Sequence, residues 1–350
     1  MGGNAVLLRE ITALRGPSGW EDAVRSALRA EAERALCGRE GRVYGDTMGS
    51  LYAFRKGTDA GKPHIMLAAH MDEAGFIVRF AGEDGLLHFE CVGQIDPRWI
   101  VSKRVLVGEG AVPGVIGVKA IHLMSAEERK KAPDCAHLFI DIGAKDKVQA
   151  ERLCPPGSYA TFESEYRAFG DGFVKAKALD DRAGCLILLE ALRTSDYAGD
   201  LTCVFMVQAE VGMRGAAVAA KRVRPDAALI VDAAAAFDMG MTDAHRQETR
   251  CGGGAALPFM DSRSLASRTM RALALETAKR ENIPVQRTCG TGGESDAGAV
   301  MEAGVPCLTI AFPCRYAGSG VSVCKRSDID AAQALTFAVL KEIEARSETP

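Results

Sequence analysis

Residues 64–78 read His-Ile-Met-Leu-Ala-Ala-His-Met-Asp-Glu-Ala-Gly-Phe-Ile-Val. Pro63 stands before this stretch, and Ile65 to Ala69 form an unbroken apolar run of strand length that stops at His70. A strand with one wet face alternates apolar and polar residues; an unbroken run is what a strand buried on both faces of a parallel sheet presents. A central parallel strand of this kind belongs to an α/β sheet, with the rest of the chain wrapped around it.

Upstream, apolar residues recur at helical spacing from Asn4 to Leu36 and are interrupted at Gly16-Pro17-Ser18-Gly19, which predicts two helices. Ser18 and Glu21 have the spacing of a capping box for the second. Downstream, from about Phe76 to Arg167, short alternating segments (LLHFECVG, RVLVGEG, PGVIGVKA, HLFIDIGA, GSYATFES) are punctuated by Gly, Pro and Asp, the texture of a small β-barrel or sandwich. After Phe173, helical patterns (Ala183–Leu192, Ala216–Val223, Arg263–Arg280, Ile329–Ala345) alternate with strand-like runs LTCVFMVQ, AALIVDAA and PCLTIAFP. The expected organisation is an α/β domain of residues 1–75 and 168–350, interrupted by a β-rich insertion over 76–167.

Composition bounds the function. The chain has 350 residues, 47% hydrophobic and 25% charged, the balance of a globular protein. Charges interrupt every apolar stretch before it reaches the roughly 18–20 residues a spanning helix needs, so no membrane association is expected. With 43 Lys and Arg against 46 Asp and Glu, no basic field recommends nucleic acid as a partner. Eleven scattered cysteines without a CxxC pair read as buried thiols in a reducing cytoplasm, and Arg9 and Glu10 leave no room for a signal-peptide core.

Four groups fall at the carboxyl ends of strand-like runs or at a helix start, where open α/β sheets place their ligands: His70, Asp180, Glu210 and Asp232. Taken singly, His70 reads as a hydrogen-bonded structural histidine, the pair Asp180-Asp181 serves equally as helix cap or metal ligand, and the other two read as solvated loop acids. Their convergence on one sheet makes an N/O donor set suited to Zn²⁺, Co²⁺ or Mn²⁺.

The order of motifs GPSGWEDAVR, AAHMDEAGFIV, GQIDPRWI, VPGVIGVKAIHL, EERKK, LFIDIGA, KALDDRAGCLILLEAL, QAEVGMRGA, GESDAGAV and RYAGSGVSV resembles, nearly end to end, the tetrahedral (TET) and glutamyl aminopeptidase family of co-catalytic metallopeptidases, some of which once carried the name endoglucanase. The resemblance implies a metallopeptidase α/β domain, an inserted β-barrel that forms dimers, frequently dodecameric assembly, and removal of N-terminal residues from peptides. It implies that His70, Asp180 and Asp232 bind a first metal with Asp180 bridging, that Glu210 serves a second, and that Asp72 orients His70.

Two positions depart from the family pattern. The second metal's histidine is replaced by Gly318, and no histidine follows His245 in the chain. The catalytic base, the first Glu of a Glu-Glu pair, is replaced by Ala209, which cannot take a proton. Glu294 is the residue available as a displaced base or ligand. The expectations are one intact metal site and either an aminopeptidase of impaired activity or an inactive paralogue that binds a metal or peptide and assembles with itself or with active relatives. Glycoside hydrolysis would need two carboxylates flanking a sugar cleft, for which the motifs give no argument.

Overall fold

β3 (Ile65–His70) is fully buried and runs parallel to a neighbour on each side, as its apolar run predicts. In this computed structural model residues 3–240, 249–290 and 293–346 are described. The chain begins with the two expected helices, α1 (Gly3–Ala13) and α2 (Asp22–Ala35). The hairpin β1 (Gly41–Gly45) and β2 (Leu51–Arg55) follows; the sequence reading missed it because β1 lies at the sheet edge and is too exposed to show apolar alternation.

After β3 the strands β4 (Gly75–Ala81), β5 (Leu87–Val92), β6 (Arg104–Val107), β7 (Val112–Val118), β8 (Leu138–Asp141) and β9 (Tyr159–Phe162) close a barrel in the order β4-β5-β8-β7-β6-β9, with α3 (Pro97–Ile100) and α4 (Lys147–Leu153) in its connections. Phe76 fills its interior, meeting Phe89 and Phe162 edge to face at 5.1 Å between ring centres. The chain returns through β10 (Arg167–Phe169), β11 (Phe173–Ala176), α5 (Leu179–Thr194), β12 (Leu201–Met206), α6 (Arg214–Val223), β13 (Ala227–Ala235), β14 (Ala255–Asp261), α7 (Arg268–Arg280), β15 (Val285–Gly290), α8 (Asp296–Glu302), β16 (Cys307–Arg315), β17 (Ser322–Lys325) and α9 (Arg326–Ala345).

These join β1, β2 and β3 in an 11-stranded mixed sheet whose centre, β12-β3-β13-β16, is parallel. Alternation along the central strands divides the core. Ile65, Leu67 and Leu229 pack with α1, α2, α5, α7 and α9, whereas Met66, Ala68, Ala228 and Ile230 pack with α6 and α8 on the other face. At the point where the barrel leaves the sheet, the buried Glu73 accepts hydrogen bonds from Gly16 N at 3.0 Å and from Lys177 Nζ at 2.7 Å. Trp20 stacks on Tyr159 of the barrel at 5.8 Å.

Two local expectations are corrected. Ser18 and Glu21 form no capping box: the Ser18 hydroxyl donates to Asp72 Oδ2 at 2.6 Å, and Glu21 Oε1 accepts from Gly19 N and Gln208 N. α7 begins at Arg268 rather than Arg263, because Asp261 Oδ1 accepts from the amides of Arg263 and Ser264 and holds that segment as a turn, and Ser267 then caps the helix.

Candidate metal centre

β3 delivers His70 at its carboxyl end, 6% exposed. β13 delivers Asp232, which lies within the strand rather than at its end: pairing with β3 stops at Ile230, but pairing with β16 continues to Ala235. Residues 66, 68 and 70 share one face of β3, and residues 228, 230 and 232 one face of β13, so both side chains stand on the face covered by α6 and α8.

At the start of α5 the two aspartates, read from the sequence as a pair serving either as helix cap or as metal ligand, have separate partners. Asp181 binds backbone, accepting from Gly184 N at 3.1 Å and from His70 N at 3.2 Å. Asp180 faces the imidazole, its Oδ1 lying 3.2 Å from His70 Nε2. Ligand atoms of His70, Asp180 and Asp232 all lie within 4.8 Å of one another, the one such group of three among the described residues.

Asp72 lies beneath this cluster and is fully buried. Its Oδ1 is 3.5 Å from His70 Nδ1 and accepts from Ala209 N at 3.0 Å; its Oδ2 accepts from Glu210 N at 3.1 Å as well as from Ser18. One carboxylate therefore positions both the imidazole and the turn that follows β12. Burial alone would raise its pKa, but His70 and the hydrogen bonds it accepts hold it below the usual carboxylate range.

The remaining acids feel the opposite balance. Burial, and then the charge of Asp180, pushes Asp232 well above the ordinary value and Glu210 up to about 8. Burial opposes charging of His70, yet the carboxylates of Asp180, hydrogen-bonded to Nε2, and of Asp72, 3.5 Å from Nδ1, hold its pKa well above the usual imidazole value. Buried carboxyls that repel one another around one imidazole fit a divalent cation, which would offset that repulsion with N/O donors at hand.

The other expected residues are placed as follows. Glu210 borders the cluster and abuts the barrel: a Cβ built on Gly93 would lie 2.9 Å from Glu210 Oε2 and 3.2 Å from Glu210 Cβ, and the φ of +96° at Gly93 is a conformation that favours glycine. Ala209 is half-buried, its amide held by Asp72. Gly318 has φ +72° in a turn against Gln94 O. Glu294 is exposed, and its charge acts on Arg263.

The residue that sequence reasoning missed is Asp296, two positions further on. It opens α8, is 2% exposed, and lies close enough to His70, Asp72 and Asp180 to feel their charges. Burial is the main cause that pushes its carboxyl up to about 7. The available signal was the motif Ser295-Asp296-Ala297-Gly298, in which the adjacent Glu294 drew the attention.

Comparison with known proteins agrees with this arrangement. The chain is 35% identical over 329 residues to a protein of Acetivibrio thermocellus named as a candidate aminopeptidase, covering 93% of this chain and 95% of that one. Among solved structures it is similar to a TET aminopeptidase from a marine sediment Thaumarchaeota archaeon, with a TM-score of 0.92, 30% identity and 98% of each chain covered. It is also similar to the TET1 peptidase of Pyrococcus horikoshii, which assembles into a tetrahedron or a large octahedral shell, with a TM-score of 0.84, 28% identity, and 96% and 98% of the two chains covered. The profile of the M42 glutamyl aminopeptidase family matches residues 49–335. Sequence, fold and motif order thus agree, and the chain belongs to the M42 glutamyl aminopeptidase family.

Proposed function

We propose that this protein is a metal-dependent aminopeptidase of lowered activity, which holds one divalent cation, Zn²⁺ or Co²⁺ with Mn²⁺ as an alternative, and acts on the N-terminal residue of peptides. The observation that carries the reading is the convergence of His70, Asp180 and Asp232 within 4.8 Å at the carboxyl side of a parallel sheet. A bound cation would supply Lewis-acid polarisation of the scissile carbonyl. The protein's own groups do the rest: Asp72 fixes the ring of His70 and the amides of Ala209 and Glu210, and Glu210 is the carboxyl beside the cluster that remains able to carry a proton. The absence of a carboxylate at position 209 is worth on the order of 10²–10⁴ in rate.

A second reading has its own support. Ala209 removes the base, and Gly318 removes a ligand in a turn whose backbone an L side chain rarely adopts, which favours a paralogue that binds a metal or peptide without turnover. In either reading, residues 1–75 and 168–350 form the metal-binding unit and residues 76–167 an inserted unit for self-association. Large apolar side chains exposed on that insertion support this role: Trp99, Ile121, Leu123 and Val148. So does the assembly of the related TET1 peptidase into closed shells.

The deciding experiment is hydrolysis of an aminoacyl-anilide and short-peptide panel by protein loaded with Zn²⁺, Co²⁺ or Mn²⁺, against a chelator-treated control. Metal-dependent release of N-terminal residues is the expected result. No turnover with one cation bound per chain would overturn the enzymatic reading in favour of the second.

A further inference from the structure

The α6/α8 face of the sheet holds more negative groups than the three-residue cluster uses. Asp296 is the outstanding one. Its Oδ1 is buried and finds no hydrogen-bond donor among the described residues, although a buried carboxylate oxygen is costly to leave without one. Alternation along β3 and β13 puts His70 and Asp232 on the face that α8 covers, and Asp296 is the first residue of α8. Its carboxyl acts on Asp232 and is acted on by His70, Asp72 and Asp180. Asp296 is nevertheless not a member of the group whose ligand atoms lie mutually within 4.8 Å. It stands beside the proposed cation site without joining it.

A buried carboxylate with one donor-less oxygen, just outside a cation site, is suited to a ligand that offers N–H donors and positive charge next to a carbonyl the cation can polarise. The N-terminal residue of a peptide has this constitution, its amine being separated from its carbonyl carbon by a single Cα. An acylated or internal residue offers at most one uncharged N–H at that point, and an N-acetyl group brings a carbonyl oxygen against the carboxylate. We propose that Asp296 is the amine anchor of the site: it accepts a hydrogen bond from the free α-amine of the peptide and so restricts binding to chain ends. This inference rests on the aminopeptidase reading and adds to it the residue that selects the free N-terminus.

The test is calorimetric titration of full-length, Zn²⁺-loaded protein with Leu-Ala-Ala, with its N-acetyl form, and with an N-terminally trimethylated form that keeps the charge but has no N–H to donate. Wild type is expected to bind the free-amine peptide at least about tenfold more tightly than either blocked form, since charge-assisted hydrogen bonds are roughly twice as strong as neutral ones. Asp296→Asn is expected to reduce that preference to about threefold or less with zinc stoichiometry and melting temperature unchanged. An undiminished preference in Asp296→Asn overturns the anchor while leaving the aminopeptidase reading intact. So does a loss of zinc from the variant, which would make Asp296 part of the cation site. If wild type binds none of the three peptides, the aminopeptidase reading fails and the anchor fails with it. The trimethylated peptide keeps the proposal falsifiable without any variant: if wild type binds it as tightly as the free amine, no hydrogen bond to Asp296 is being made.

Discussion

At the scale of single residues, the site is a contest between burial and specific partners. Asp72 and Glu21 lie next to each other in this network yet are driven in opposite directions. Asp72 accepts from a hydroxyl and two amides beside His70 and falls below the ordinary carboxylate range. Glu21 accepts two amide bonds, from Gly19 and Gln208, but burial outweighs them, Asp72 adds like charge, and its pKa is pushed from 4.5 up to about 7. The folded chain therefore holds the Glu21 proton more tightly than the unfolded chain. The contribution is fully present below the unfolded value, and stability is lost as pH rises from about 4.5 to about 7. Glu21→Gln keeps an acceptor oxygen and removes the charge, so the variant is expected to be more stable than wild type at about pH 8, by on the order of 2 kcal/mol, and little different at about pH 4. Urea unfolding at the two pH values checks this; equal midpoints at the higher pH would show that the carboxylate is accommodated without cost.

At the scale of elements, the strands that carry the site were legible because their apolar runs met ionisable groups: β3 at His70, and β13 at Asp232. The barrel was legible from its short alternating segments. β1, β2, β10, β11, β14, β15 and β17 were not anticipated, since these strands are short, lie at sheet edges or depend on distant pairing that local periodicity does not register. Asp296 escaped for a related reason, because its significance comes from a helix meeting two strands from far along the chain. Gly318 shows how an element's backbone can oppose a side-chain replacement. Tyr316 and Gly318 both have positive φ, +57° and +72°, in the turn after β16. A histidine at 318 is held in the left-handed region, so Gly318→His is expected to lose about 1–2 kcal/mol of stability and to leave the protein binding one Zn²⁺ per chain. A second tight zinc in calorimetric titration would show that the turn rearranges readily and that the second site was lost through one side chain alone.

At the scale of the whole molecule, the barrel is pinned to the sheet at its root and open at its surface. The root is polar and specific: Arg15 Nη1 donates to Gly108 O at 2.6 Å, and Glu73 holds Lys177. Beyond it the insertion carries Ile121 at 70% exposure and Leu123 at 65%, in the connection between β7 and β8. Isolated exposed apolar residues are common, but two within the single 3-10 turn Ile121–Leu123 are suited to burial against a second copy. No described helix is long and apolar enough to cross a membrane, so a bilayer-spanning helix does not account for them. If they bury between copies, replacing both by aspartate places two charges in each half of an isologous contact and doubles the effect by symmetry. Ile121→Asp with Leu123→Asp is therefore expected to dissociate the assembly by at least about tenfold in Kd while leaving zinc stoichiometry at the sheet unchanged, since neither residue is among those that build the cluster. Light scattering over a dilution series, read beside calorimetric zinc titration, separates the outcomes. An unchanged mass would remove this connection from the contact, and loss of zinc together with loss of mass would mean that the site depends on assembly.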